Sequence, residues 1–155
     1  MRFQKQLFRH DPDNGIFGDC QRTVLAILLG IDANEVPHVH GHLPDGEQLA
    51  MHDNWLRERG VVRIEIPFTV GDPDQMLMIA EHYSQGMPYM LAGMSRLGTN
   101  HVVIGQGRKI IWDPSQLNSG IVGPGTDGHY WLGWLFRPLL PAGEVEILPE
   151  VRAEA

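Results

Sequence analysis

NHVVIGQGRKIIWDP, residues 100–114, carries the clearest pattern in this chain. Two short runs rich in β-branched and aromatic residues flank QGRK, and the glycine in that tetrapeptide suits a tight hairpin between antiparallel strands. A hairpin closed there brings the start of its first strand beside the end of its second. His101 and Asp113 then become neighbours across the pair, within side-chain reach. A carboxylate at that place is expected to accept Nδ1–H from the imidazole and so fix its tautomer.

Working outward, PYMLAGM (88–94), HYWLGWLF (129–136) and EVEIL (144–148) read as further short strands separated by glycine. VVRIEI (61–66) alternates in the same way and ends at Pro67. The first half of the chain is dominated by helical signals. CQRTVLAILLG (20–30) is a largely buried helix with Asp19 at the N-cap position and Gly30 as its C-cap. EQLAMHDNWLRERG (47–60) is a second helix, and DPDQMLMIAEHYSQG (72–86) a third, with an Asp/Pro start and a glycine stop. IDANEVPHVHGHLPDG (31–46) reads as loop. Helices first and antiparallel strands second give an α+β layout. Residues 1–155 read as one domain, with 1–13 as a lead-in and 149–155 as a tail, both peripheral.

Composition sets limits on function. Apolar residues make up 43% of the chain and charged residues 20%, ordinary for a globular protein. The formal charge of −7 argues against a sequence-independent nucleic-acid partner and against an anionic membrane surface. No apolar run is long enough to span a bilayer, and the first fifteen residues lack a secretory signal, so a cytoplasmic protein is expected. A single cysteine excludes an internal disulfide and a four-thiolate zinc site. It leaves two readings of Cys20, an inert small core residue or a reactive thiol.

The neighbourhood of Cys20 favours the reactive thiol. Backbone N–H groups at a helix start stabilise a thiolate and can hold an oxyanion. His101 supplies a base and Asp113 the group that orients it, which completes the set that thiol catalysis requires. Asn14, six residues before Cys20, is positioned in sequence to donate a second hydrogen bond to an oxyanion.

NGIFGDC (14–20), HVVIG (101–105) and IIWDP (110–114) together resemble the papain-like cysteine peptidase superfamily. They are most similar to the peptidases that remove double-glycine leaders from bacteriocin precursors. The resemblance covers roughly residues 14–30 and 99–115. It implies a papain-like fold, with the Cys20 helix packed on a C-terminal antiparallel sheet. It also implies Cys20 as nucleophile, His101 as base, Asp113 as orienting acid and Asn14 as oxyanion helper. Asn14 stands where that family has glutamine, and Gln21 where it commonly has glycine. The implied activity is that of a stand-alone cysteine hydrolase, of the sort found in bacteria and phages. It would cleave a peptide, isopeptide or related amide without cofactor or metal. A catalytically inactive binding module, or an acyltransferase of the transglutaminase type, fits the same residues. The partner implied is a peptide or protein substrate; oligomeric state is left open.

Three further features have readings of their own. His38, His40 and His42 alternate, and in an extended segment would share a face suited to a metal ion; solvated histidines in a polar loop is the preferred reading. His10, His52, His82 and His129 carry no functional assignment. GPGTDG (123–128) reads as a mobile loop bordering the site, and Trp112 should face away from Asp113 by strand alternation.

Overall fold

The computed structural model describes residues 1–139. In chain order the main elements are α1 (Cys20–Leu29), α2 (Asp45–Arg57), β1 (Val62–Phe68), α3 (Pro73–Ser84), β2 (Tyr89–Met94), β3 (Asn100–Gln106), β4 (Lys109–Trp112) and β5 (Tyr130–Phe136). The strands form one antiparallel sheet in the order β1-β5-β2-β3-β4. The described residues are thus α+β, three helices on a five-stranded antiparallel sheet. The expected strand at 144–148 and the tail at 149–155 lie outside the described residues. No helix among the described residues is long and apolar enough to cross a membrane.

Strand alternation sends side chains to both faces of the sheet, and each face has its own core. Met90, Val102 and Ile104 pack with Val24, Leu25 and Ile27 of α1 and with Leu56 of α2. Tyr89, Leu91 and Val103 point the other way, into a cluster with Met76 and Ala80 of α3 and with Tyr130, Leu132 and Trp134 of β5. α1 is buried along most of its length because its sequence is apolar nearly all round. Truncating Ile27, which is fully buried, to alanine should cost about 2–5 kcal/mol.

Local chemistry sets the element ends. Gly30 closes α1 in the left-handed conformation, as its glycine suggests. The Asp72 side chain caps α3 at Gln75 N, but the left-handed residue ending that helix is Gln85 rather than the following glycine. α2 stops at Arg57, a little before Gly60. β1 continues through Pro67 to Phe68. It is an edge strand, where a missing N–H is tolerated.

The hairpin at Gly107–Arg108 forms as expected, with Gln106 opposite Lys109. It is irregular in one respect that matters. Gly105 pairs with Ile110 but Ile104 pairs with Trp112, so Ile111 is an extra residue, a β-bulge. A regular ladder from the turn would place Asp113 opposite Val102, in phase with the β3 side chains that pack on α1. The bulge shifts the register by one and puts Asp113 in phase with His101 instead. Gly105, at the bulge, lies against the Tyr89 ring; a Cβ there would sit 2.2 Å from ring carbons. Tyr89 Oη in turn donates to Gly107 O at 2.9 Å and pins the turn.

Residues 3–8 are not the peripheral lead-in expected. Phe3 stacks on Trp112, and Gln4 donates to Ile31 O and accepts from Ala33 N. Trp112 Nε1 donates to Gln4 O, and Gln6 N donates to Pro114 O. The segment therefore crosses from the end of α1 to the end of β4 as a hydrogen-bonded strap. The apolar residues of this segment, Phe3, Leu7 and Phe8, follow neither a helical nor a strand period, which is why its sequence reads as loose.

Candidate active site

α1 begins at Cys20, so the sulfur sits on the first turn of a helix whose N-terminus no side chain caps. Asp19 occupies the N-cap position without capping. Its carboxylate accepts instead from Phe8 N at 2.9 Å and from Arg22 Nε at 2.9 Å, and both partners of this Asp19–Arg22 ion pair are buried. The first N–H groups of α1 thus keep their donor capacity. This D-x-x-R pair was visible in the sequence as an i,i+3 spacing, yet only burial gives it weight.

His101 is the second residue of β3, where Gly93 is its partner on β2. Its Nε2 lies 2.7 Å from Asp113 Oδ1. Because an ionised carboxylate only accepts, Nε2 carries the proton in this contact. This corrects the expected tautomer: Asp113 takes the Nε2–H, and Nδ1 is the ring nitrogen left for the sulfur. Asp113 is itself held on all sides. Ser115 N donates to Oδ1 and Gly120 N to Oδ2, each at 2.8 Å, with Gly120 in the left-handed conformation that brings its N–H inward. Burial works against charge on Asp113, but the bonds from His101, Gly120 and Ser115 outweigh it and hold the carboxyl below its usual range. Burial likewise disfavours the imidazolium of His101. The hydrogen bond to Asp113 and the adjacent Cys20 sulfur prevail, raising its pKa to about 9.

Cys20 and His101 line one cavity of about 580 Å³. Its apolar rim carries Leu49, Leu97 and Leu117; its polar wall carries Arg9, His10, His38 and His40. A volume of this order accommodates a few residues of an extended peptide or a compact amide.

Asn14 is not brought to this site. It ends a short 3-10 turn, Pro12–Asn14, is exposed, and donates to Asp11 Oδ2 at 2.8 Å. The turn chemistry of DPDNG satisfies the amide locally, and a side chain so short does not reach past its own loop. Gln6 does line the cavity from the N-terminal segment, with Arg9 and His10; it is buried, and its Nε2 donates to Phe8 O at 2.7 Å. Among the described residues its Oε1 has no partner. No sequence signal singled it out.

The histidine-rich loop is a turn in which His38 is set apart from the other two histidines by its partial burial. His42 N and Leu43 N both donate to Val39 O, and Gly41 is left-handed, so the segment turns and the three rings do not share an extended face. His40 and His42 are exposed, as solvated histidines should be. His38 is half-buried, stacked on Phe8 and edge-on to His42, with ring centroids 5.4 and 5.0 Å apart. Burial, with Arg22 nearby, keeps its pKa below the ordinary value. Among the described residues no group of three or more His, Cys, Asp or Glu is placed to hold a metal ion.

The 123–128 loop meets the site at Asn100, a cavity residue, whose side chain exchanges two hydrogen bonds with Thr126. Trp112 packs with the α1 core, away from Asp113, as alternation requires.

Comparison with protein-family models, with curated proteins and with solved structures returns no match.

Proposed function

We propose that this protein is a papain-like cysteine hydrolase that cleaves a peptide, isopeptide or related amide. The observation that carries the proposal is the line of three groups from three elements: the α1 sulfur, the β3 imidazole beside it, and the Asp113 carboxylate 2.7 Å from the far ring nitrogen. Nucleophile, base and orienting group in contact are the requirement for thiol catalysis.

In this mechanism the Cys20 thiolate attacks the amide carbon, and the N–H groups at the head of α1 receive the developing oxyanion. His101 gives its Nδ1 proton to the departing amine as the C–N bond breaks, leaving a thioester on Cys20. Water then attacks the thioester carbon, its proton passes to Nδ1, and the C–S bond breaks to release the acid. Asp113 stays ionised throughout and keeps Nε2–H pointed at itself.

The test is the alkylation rate of Cys20 by iodoacetamide at mildly acidic pH. The hydrolase should react far faster than a model thiol, and vinyl-sulfone probes with varied recognition groups should then report the substrate class. Equal rates for the protein and a free thiol reject the proposal.

A further inference from the structure

The loop that follows β4 is gripped from outside by one side chain that the triad does not include. Lys5 Nζ donates to Asp113 O at 2.8 Å, to Ser115 O at 2.9 Å and to Asn118 Oδ1. An ammonium has three N–H donors, and here all three end on residues 113–118. The stem crosses the Trp112 ring, with Nζ 4.8 Å from its centroid, so the last residue of β4 and the loop behind it are held together. The neighbouring residues reinforce the grip: Gln6 N donates to Pro114 O, and Gln116 Nε2 donates to Gln6 O.

The loop is also shaped to need holding. Asn118 and Gly120 are both left-handed, and Asn118 is one of two non-glycine residues with positive φ among the described residues. Two N–H groups of the loop are spent on the Asp113 carboxylate from within. The carboxylate therefore sits at the centre of a tight loop that Lys5 clamps through its carbonyls. Lys5 makes no hydrogen bond to the carboxylate, so its effect on the triad runs through placement.

We infer that Lys5 is a positioning residue, which fixes the loop 113–118 and thereby aims the Asp113 carboxylate at His101 Nε2. The N-terminal strap is on this account a working part of the site rather than a leader to it. The consequence for rate rests on the triad reading above; the consequence for the His101–Asp113 contact does not.

The experiment follows the His101 ring by NMR titration of histidine-labelled protein, with circular dichroism and thermal melting as fold controls. In Lys5→Met the stem over Trp112 is kept and the three donors are lost. Lys5→Met should stay folded while the His101 midpoint falls by about one pH unit or more, because a displaced Asp113 no longer favours the imidazolium. Cys20 alkylation at pH 6 should slow on the order of tenfold, the scale of a small misplacement. A strap that only adds stability would lower the melting temperature and leave the midpoint where it was; that outcome overturns the inference. If Lys5→Met does not fold, Asn118→Gly decides it. That variant removes one acceptor at a backbone conformation glycine favours, and an unchanged midpoint there overturns the inference equally. Wild-type alkylation at the free-thiol rate would sink the hydrolase reading alone, because the His101 titration reports on Lys5 independently.

Discussion

The two walls of the cavity are built on opposite plans. On the sheet wall every polar atom that matters is engaged: Asp113 takes three N–H donors, and its loop is clamped by Lys5. On the helix wall donors and acceptors are left open. α1 has no side-chain cap, His38 Nε2 lacks a partner among the described residues, and Asp19 is turned aside to Phe8 and Arg22. The contrast teaches a division of labour. A base must hold one orientation through the reaction, whereas the helix head must keep its donors free for an oxygen that exists only in passing.

The comparison is broken most severely at the imidazole. His101→Ala should slow Cys20 alkylation at pH 6 on the order of 10³-fold with circular dichroism retained, the scale expected when a positioned base is removed. A rate within about threefold of wild type would show that the two walls do not communicate.

The next test falls on the helix wall. Asp19→Asn leaves an acceptor for Phe8 N but strips Arg22 of its buried counter-charge. Urea unfolding should show a loss of about 3 kcal/mol, since a charge left buried without its partner is heavily penalised. If the loss is below about 1 kcal/mol, the pair is solvated and the helix head is less sealed than its burial implies.

The sheet wall has its own signature in pH. The folded pKa of His101, about 9, lies above the ordinary 6.5, so its contribution is fully present below pH 6.5 and fades as pH rises through 9. Asp113 is shifted down, so its contribution is present above the ordinary carboxylate range and fades in more acidic solution. Stability should therefore peak between about pH 4.5 and 6.5 and decline by ~2–3 kcal/mol towards pH 9. His101→Gln should flatten the alkaline limb; an alkaline limb that persists belongs to other groups.

The smallest effect is expected at Asn14. Exposed and bonded only to Asp11, Asn14→Ala should change stability by less than about 0.5 kcal/mol and leave the alkylation rate alone. A tenfold slower reaction would return it to the oxyanion site.

Much of this architecture was legible in residue order. The three helices announce themselves through apolar spacing and punctuation, and the strands through β-branched runs between glycines. That His101 and Asp113 flank one hairpin follows from the turn at QGRK, while the bulge that brings them into phase does not. Other features were out of reach for physical reasons. The N-terminal strap is held by side chains bonding to carbonyls about 110 residues away, a pattern without period. Asn14 sits six residues before Cys20 in the chain, but distance along an irregular segment says nothing about direction in space.

Residue order alone tells that a lone cysteine begins a buried helix, and that a histidine and an aspartate flank one hairpin, because capping, periodicity and turn chemistry act over a few residues. Folding in three dimensions settles which imidazole nitrogen faces the carboxylate and that the ladder leading to Asp113 slips by one residue. One extra residue at Ile111 settles the second point, since in a ladder of period two a single-residue slip exchanges the faces.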